Sequence, residues 1–323
     1  MGGRGWRYLV MGLLLLVNVV HAEDTLDEVV VSGEQPGPGL WQVTNGGNTL
    51  WLLGTHSPLP KKMQWRAQQV EAVIARSQSV IAPPDVTAGI GFFSGLRLLP
   101  AMLRARSIPD DGTLKDVLPA DLYARWKVLA ARYSAPDKID RWRPALAAFI
   151  LYSRALDAAQ LNNRDVVWPV VEKAAKRNHV EIRRSAVALQ IKDPKGLIND
   201  YAKSDFTAEI GCFEGLVARM EHDMPLLQTQ ANAWATGDIA PLRKLSTDSP
   251  EQRCVDVLLG TPRLASMLDD AKRKFRLELL LAMEGALQRN SGTLAVVTIS
   301  ELMAGDGILS QLRQRGYQVI EPQ

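Results

Sequence analysis

Histidine is scarce in this chain, with four in 323 residues, and His21 closes an N-terminal apolar segment rather than a folded one. An imidazole-based metal centre would therefore draw on His56, His179 and His222 alone. Cysteine is scarcer, and Cys212 and Cys254 have no neighbouring ligands with zinc-site spacing. There is no Gly-x-Ser-x-Gly elbow and no phosphate-binding glycine loop, and Gly89-Ile90-Gly91 reads only as a flexible turn. No fixed-period repeat is present, which excludes a solenoid. The chain has no basic arm or patch of interleaved aromatics, so nucleic acid is not an expected partner. After the first 22 residues, no segment is long and uncharged enough to span a bilayer.

What is present begins with an export signal. Arg4 and Arg7 precede an apolar run from Tyr8 to Val20, followed by Val20-His21-Ala22. This order of basic, apolar and small residues reads as a signal peptide over residues 1–22, and the expected destination is the periplasm. Loss of Arg4 and Arg7 lowers the formal net charge from +3 to +1. In an oxidising compartment, Cys212 and Cys254 are expected to form a structural disulfide. A bridge closing a loop of roughly 40 residues contributes about 3–4 kcal/mol in the chain-entropy model.

Residues 23–39 read as a leader ending in a Pro/Gly linker, with a valine-rich run at Thr25–Val31. One folded body is expected over residues 40–323. It opens with a hairpin, Leu40–Thr44 and Thr49–Leu53, around Asn45-Gly46-Gly47-Asn48. The spacing of Trp65, Val70, Val73 and Ile74 predicts a helix over 61–76. Ser79–Ala82 reads as a buried strand stopped by Pro83-Pro84.

From Ile90 to about Leu287 the pattern is helical, punctuated by prolines and by one short strand at Val180–Ile182. Trp126, Trp142, Trp168 and Trp234 are expected to anchor helix packing. The end is βαβ-like: a strand over 293–299, a helix over 301–315 and a strand over 317–320. The implied class is α+β, with a mixed sheet formed by N- and C-terminal strands and a long, mainly helical middle.

Two segments carry a resemblance. Leu52-Leu53-Gly54-Thr55-His56-Ser57-Pro58-Leu59-Pro60 lies near the start, and Ala295 to Leu309 lies near the end. Together with Leu309–Val319 and Ala233–Leu242, they resemble the TraB/GumN family, relatives of the Tiki-type metal-dependent proteases. The resemblance covers the chain from Leu40 onward and implies a TraB/GumN-like domain over 40–323. Family members carry Gly-x-x-His after each of two apolar strands. In this chain Ser57 stands at the first histidine position and His56 is one place early. In the second motif Thr298 replaces the glycine and Glu301 the histidine.

Other family positions are altered too. Ala82, Pro83 and Pro84 stand where a glutamate usually follows its strand, with only Asp85 close by. If Gln190 matches the family's glutamine, Ser185 occupies the place of a second glutamate. The family's Arg-Asn pair matches Arg276-Leu277, with Arg273 as the alternative.

The resemblance thus implies a degenerate metal-hydrolase site. One reading is a non-catalytic binding or accessory protein of the cell envelope, whose cleft takes a peptide, glycan or envelope protein and needs no cofactor. The other is a divergent metal-dependent hydrolase or protease. It would use His56, Glu301 and Arg276 as catalytic candidates, with His56, Glu301, Asp85 and Asp306 holding manganese, cobalt or zinc.

The plainer role for His56 is hydrogen bonding to loop carbonyls. For Glu301 it is stabilisation of a helix N-terminus, worth about 0.3–1 kcal/mol. His179, in a turn, and His222, in a charged helix, read as solvent-facing or capping residues. His56 and Ser57 are adjacent at a strand end and point apart, so His56 is not expected to act as base for Ser57.

Overall fold

The computed structural model describes residues 34–83, 85–88, 92–189, 191, 193–244, 249–258 and 262–322. The signal-peptide segment and the Thr25–Val31 run lie outside them. The first described residues form a short strand, β1 (Glu34–Gln35). Next come β2 (Leu40–Asn45) and β3 (Asn48–Thr55), the expected hairpin, with Gly46 at a positive φ of 61° in its turn. Two short strands follow, β4 (Leu59–Pro60) and β5 (Gln64–Trp65), and then β6 (Ser79–Ile81) and β7 (Asp85–Ala88).

The middle of the chain adds only β8 (Leu161–Asn162), β9 (Glu181–Arg183) and β10 (Ala186–Leu189). The chain closes with β11 (Gly292–Thr298) and β12 (Gln318–Ile320). Six of these strands make one sheet in the order β12-β2-β3-β11-β6-β9. The β12, β2 and β3 strands pair antiparallel, while β3, β11, β6 and β9 run parallel. The class is therefore the expected one, a mixed sheet of N- and C-terminal strands with a helical middle.

Burial explains which strands sit at the centre. A strand covered on both faces reads as a continuous apolar run rather than an alternating one. In β11 every residue from Gly292 to Val297 is buried. In β3 Leu50, Leu52 and Leu53 are buried, and Val80 and Ile81 of β6 continue the layer.

The structure adds the short strands β1, β4, β5, β7, β8 and β10, which the sequence does not predict, and two predicted helices differ from expectation. The helix predicted over 61–76 begins only at Gln68 and runs to Ala75. Gln64–Trp65 instead pairs in parallel with β1, and Trp65 turns inward to meet Trp234 edge-on at 6.2 Å. A tertiary pairing thus overrides a local periodicity. The helix predicted over 301–315 is two helices, Ile299–Met303 and Ile308–Gln314. They break at Gly305-Asp306-Gly307, where a Cβ on Gly307 would lie 2.3 Å from the Glu301 carbonyl oxygen. Only glycine allows that approach.

The helical middle packs around its own apolar centre. Trp126 is buried 4.9 Å from Phe213, and its Nε1 donates to Asp140. Trp234 is equally buried, while Trp142 and Trp168 are only partly covered and carry Arg106 and Arg184 over their rings. The expected bridge joins Cys212 to Cys254 and fastens the Pro250–Leu258 helix to the Thr207–Ala218 helix. His179 occupies a turn at φ 55° and His222 is exposed, in line with the plain reading of both.

The most deeply buried charge is Arg143. Its Nε donates to Glu209 at 2.6 Å, and its other nitrogens donate to Ala202 and Ser204, between the rings of Tyr201 and Phe206. Glu209 also accepts from the Ala145 backbone N–H. Removing one partner leaves an uncompensated buried charge, which costs about 3–5 kcal/mol, whereas removing both is far milder. Arg143→Met should therefore lower unfolding free energy by about that amount in urea titrations. The double variant Arg143→Met, Glu209→Met should recover most of the loss.

Candidate functional site

The site begins at the carboxyl ends of β3 and β11, which lie side by side in parallel with Thr55 opposite Thr298. In open sheets of this kind the strand ends face a crevice where ligands bind. Gly54 sits at the tightest point. A Cβ on it would lie 3.1 Å from Ile299, and its carbonyl oxygen accepts a 2.8 Å bond from Trp234 Nε1. A side chain at position 54 would push apart the strand end and the helix that follows β11.

Above these strand ends lies a cavity of about 690 Å³. Thr55, His56, Ser57, Thr298 and Ser300 form its sheet side. The helical middle supplies Phe149, Tyr152, Arg219, Leu227, Gln230 and Glu251, and the segment after β8 supplies Asn163, Arg164 and Asp165. The lining mixes apolar surface with hydrogen-bonding groups, as ligand pockets usually do.

His56 is the imidazole of this cavity. Its ring is partly exposed, but Nε2 is sealed from solvent and has no hydrogen-bond partner in the protein. Burial pushes its pKa from the ordinary 6.5 down to about 4, so the ring is neutral at physiological pH. The loop-carbonyl bond expected for it is not made by Nε2. Ser57 turns elsewhere and donates its hydroxyl to Asn163 Oδ1 at 2.9 Å. No bond joins it to His56, in keeping with the expectation that the two point apart.

Glu301 and Asp306 do come together, but on a guanidinium. Arg276 Nη2 donates to Glu301 Oε2 at 3.0 Å, and Nη1 donates to Asp306 Oδ2 at 2.9 Å. Its Nε stands 2.5 Å from Glu301 Oε1, off the angle of a hydrogen bond. These contacts raise the Arg276 pKa further, with the Glu301 hydrogen bond as the largest cause. Arg273 pairs instead with Asp270, so of the two arginines Arg276 is the one that meets Glu301, and none of Arg276, Glu301 and Asp306 lines the cavity. Thr298 caps the short helix by accepting from the Glu301 N–H, and the carboxylate itself serves Arg276.

Three of the four expected metal donors, His56, Glu301 and Asp306, have described side chains, and those three do not gather around one point. No hydrogen bond or ion pair links His56 to Glu301 or Asp306, and both carboxylates are paired with Arg276, whose single positive charge offsets one of their two negative charges. Among the described residues, no three His, Cys, Asp or Glu side chains gather in a way that could hold an ion. Asp85 lies in β7, and its side chain is outside the described set. The described donors do not form a divalent-metal site as they stand, because the Arg276 guanidinium lies on both carboxylates.

The opposite wall went unread in the sequence. Arg219 donates to both oxygens of Glu251, at 2.8 and 3.0 Å, and also pairs with Asp223. Burial works against the Glu251 carboxylate, yet hydrogen bonds from Arg219 and Tyr152 hold its pKa below the usual range. Burial is the largest cause that raises the Tyr152 pKa, with Glu251 adding to it. Arg219 opens a π-turn, Arg219–Asp223, between two nearly continuous helices, a distortion that often re-aims side chains at functional sites. The disulfide was the one available signal, because it joins the helices that bear or adjoin Arg219 and Glu251.

Strand ends with an altered pair of motifs, a cleft above them and a helical middle closing over it complete an α+β domain with its candidate site at the ends of β3 and β11. The family model of the TraB/PrgY/gumN family matches residues 39–321, and the chain belongs to that family. Comparisons with curated proteins and with solved structures returned no match.

Because the folded His56 pKa lies below its unfolded value, the unfolded chain takes up the proton first as pH falls. The stability loss begins near pH 6.5, grows by at most about 1.4 kcal/mol per pH unit, and saturates near pH 4. His56→Gln should remove this component. Urea midpoints measured from pH 7 to 4.5 should fall less steeply for the variant than for the wild type.

Proposed function

We propose that this chain is an exported, periplasmic binding or accessory protein of the cell envelope, whose cleft holds a partner without hydrolysing it. The ligand class is a peptide, a glycan or a segment of an envelope protein. The observation that carries the reading is the placement of Arg276. A hydrolytic metal centre needs carboxylate or imidazole ligands free to converge, with one position left for water. Glu301 and Asp306 are instead bonded to a permanent internal cation. The second motif has thus become an ion-pair clasp closing the end of β11 against the long Pro262–Arg289 helix. The cavity remains, lined both by polar groups such as Gln230 and by apolar side chains such as Phe149 and Leu227.

One observation favours a second reading, a divergent metal-dependent hydrolase. His56 is neutral, and its Nε2 is buried without a partner, as a nitrogen ligand would be before metal binds.

Elemental analysis of protein purified from Glu23 onward, with titrations of manganese, cobalt and zinc, separates the two. The binding-protein reading expects no stoichiometric metal and the same result for His56→Ala and Glu301→Ala. One equivalent of metal, lost in both variants and accompanied by peptide hydrolysis, would establish the hydrolase instead.

A further inference from the structure

A second surface lies away from the cleft. β6 and β9 pair in parallel within the sheet, and the pairing resumes beyond Pro83 as the two-stranded ribbon β7-β10. This ribbon leads into two helices packed against each other, Phe92–Ala105 and Pro194–Lys203. The second of these buries none of its residues. The first turns Leu98 and Ala105 inward and leaves Leu99, Met102 and Leu103 about half exposed, at 50, 53 and 45 %. Three large apolar side chains on one short exposed helix form a patch, unlike singly scattered ones.

The charge around this patch has one sign. From Val86 to Pro109 the sequence contains no aspartate or glutamate, but it contains Arg97, Arg104 and Arg106. Arg97 and Arg104 are exposed. Arg104 donates only to the Pro100 carbonyl of its own helix, and Arg106 lies over the Trp142 ring. None of the three has a carboxylate partner among the described residues. The nearest acids in sequence are Asp110 and Asp111, and Asp111 pairs with Arg141. The packed Pro194–Lys203 helix is balanced, with Asp193 and Asp200 against Lys195 and Lys203.

We propose that the outer face of the Phe92–Ala105 helix docks on an anionic lipid surface. Leu99, Met102 and Leu103 enter the acyl boundary, and Arg97 and Arg104 lie among the phosphates. At 3.6 residues per turn Arg97 and Arg104 fall together on the side of the helix away from the apolar row, and an apolar row backed by a basic, acid-free side has the chemistry of an interfacial helix. A second copy of the chain fits less well. Pairing two such apolar rows would leave the arginines of both copies with no acid in the segment to pair them. No helix among the described residues is long and apolar enough to cross a membrane, so attachment through this face would be peripheral.

The test is vesicle flotation of the chain from Glu23 onward, using phosphatidylcholine vesicles with and without phosphatidylglycerol. Binding should require the anionic lipid and weaken with salt. Arg97→Gln and Arg104→Gln should each lower the partition coefficient by about fivefold. The triple variant Leu99→Ser, Met102→Ser, Leu103→Ser should abolish binding. Val128→Ser, which alters an exposed apolar residue on the Ala120–Arg132 helix, should leave binding unchanged. Near-ultraviolet circular dichroism confirms that each variant is folded. Equal binding to neutral vesicles, no binding to either, or binding retained in the folded triple variant would overturn the proposal. So would a concentration-dependent dimer that the triple variant disrupts while vesicles capture nothing.

Discussion

The structure turns on how closely its helical middle can approach the end of β3. Trp234 crosses from the helices to bond the Gly54 carbonyl, and Ile299 presses on the space a side chain at Gly54 would need. A single backbone position is thus held by an indole from one side and by the start of a helix from the other. That contact fixes the height of the helices above the sheet, and hence the depth of the cleft. It also explains why a glycine stands at this point although the histidine spacing beyond it has changed. Its role is steric and does not depend on the chemistry of its neighbours.

The fold was legible where burial imposes a regular pattern. The hairpin at Leu40–Leu53 and the continuous apolar run of β11 both follow from a sheet covered on two faces. The disulfide followed from there being only two cysteines. What failed was local reasoning about segments whose partners lie far away in sequence. Trp65 has helical spacing with Val73 and Ile74, but its backbone is claimed by Glu34–Gln35. The helix after Thr298 breaks because Gly307 must pass close to the Glu301 carbonyl, a contact invisible to periodicity.

The candidate site was half legible for the same reason. Motif comparison singled out His56, Asp85, Glu301, Asp306 and Arg276, and three of those five meet. It could not say that the arginine would be the centre of the group. Two carboxylates near each other read equally as metal ligands or as partners of a cation, and only their geometry decides. The Arg219–Glu251–Tyr152 wall left no trace beyond the cysteine pair, because its members come from separate helices and match no motif.

The sheet order places both ends of the domain at the cleft. Leu40 pairs with Leu53 near the carboxyl end of β3, and Ile320 pairs with Gln42 beside it. Gly39 packs so closely on Pro322 that a Cβ there would overlap the ring, and the Gly37 N–H is bonded to Ala235 on the helix that supplies Leu227 and Gln230. Anything joined to either end of the domain would therefore meet the cleft as a tethered neighbour rather than as a diffusing solute. Its effective concentration would be set by the length of the linker, in the millimolar range for a short flexible one. Even a weak intrinsic affinity would then be enough to keep the cleft filled.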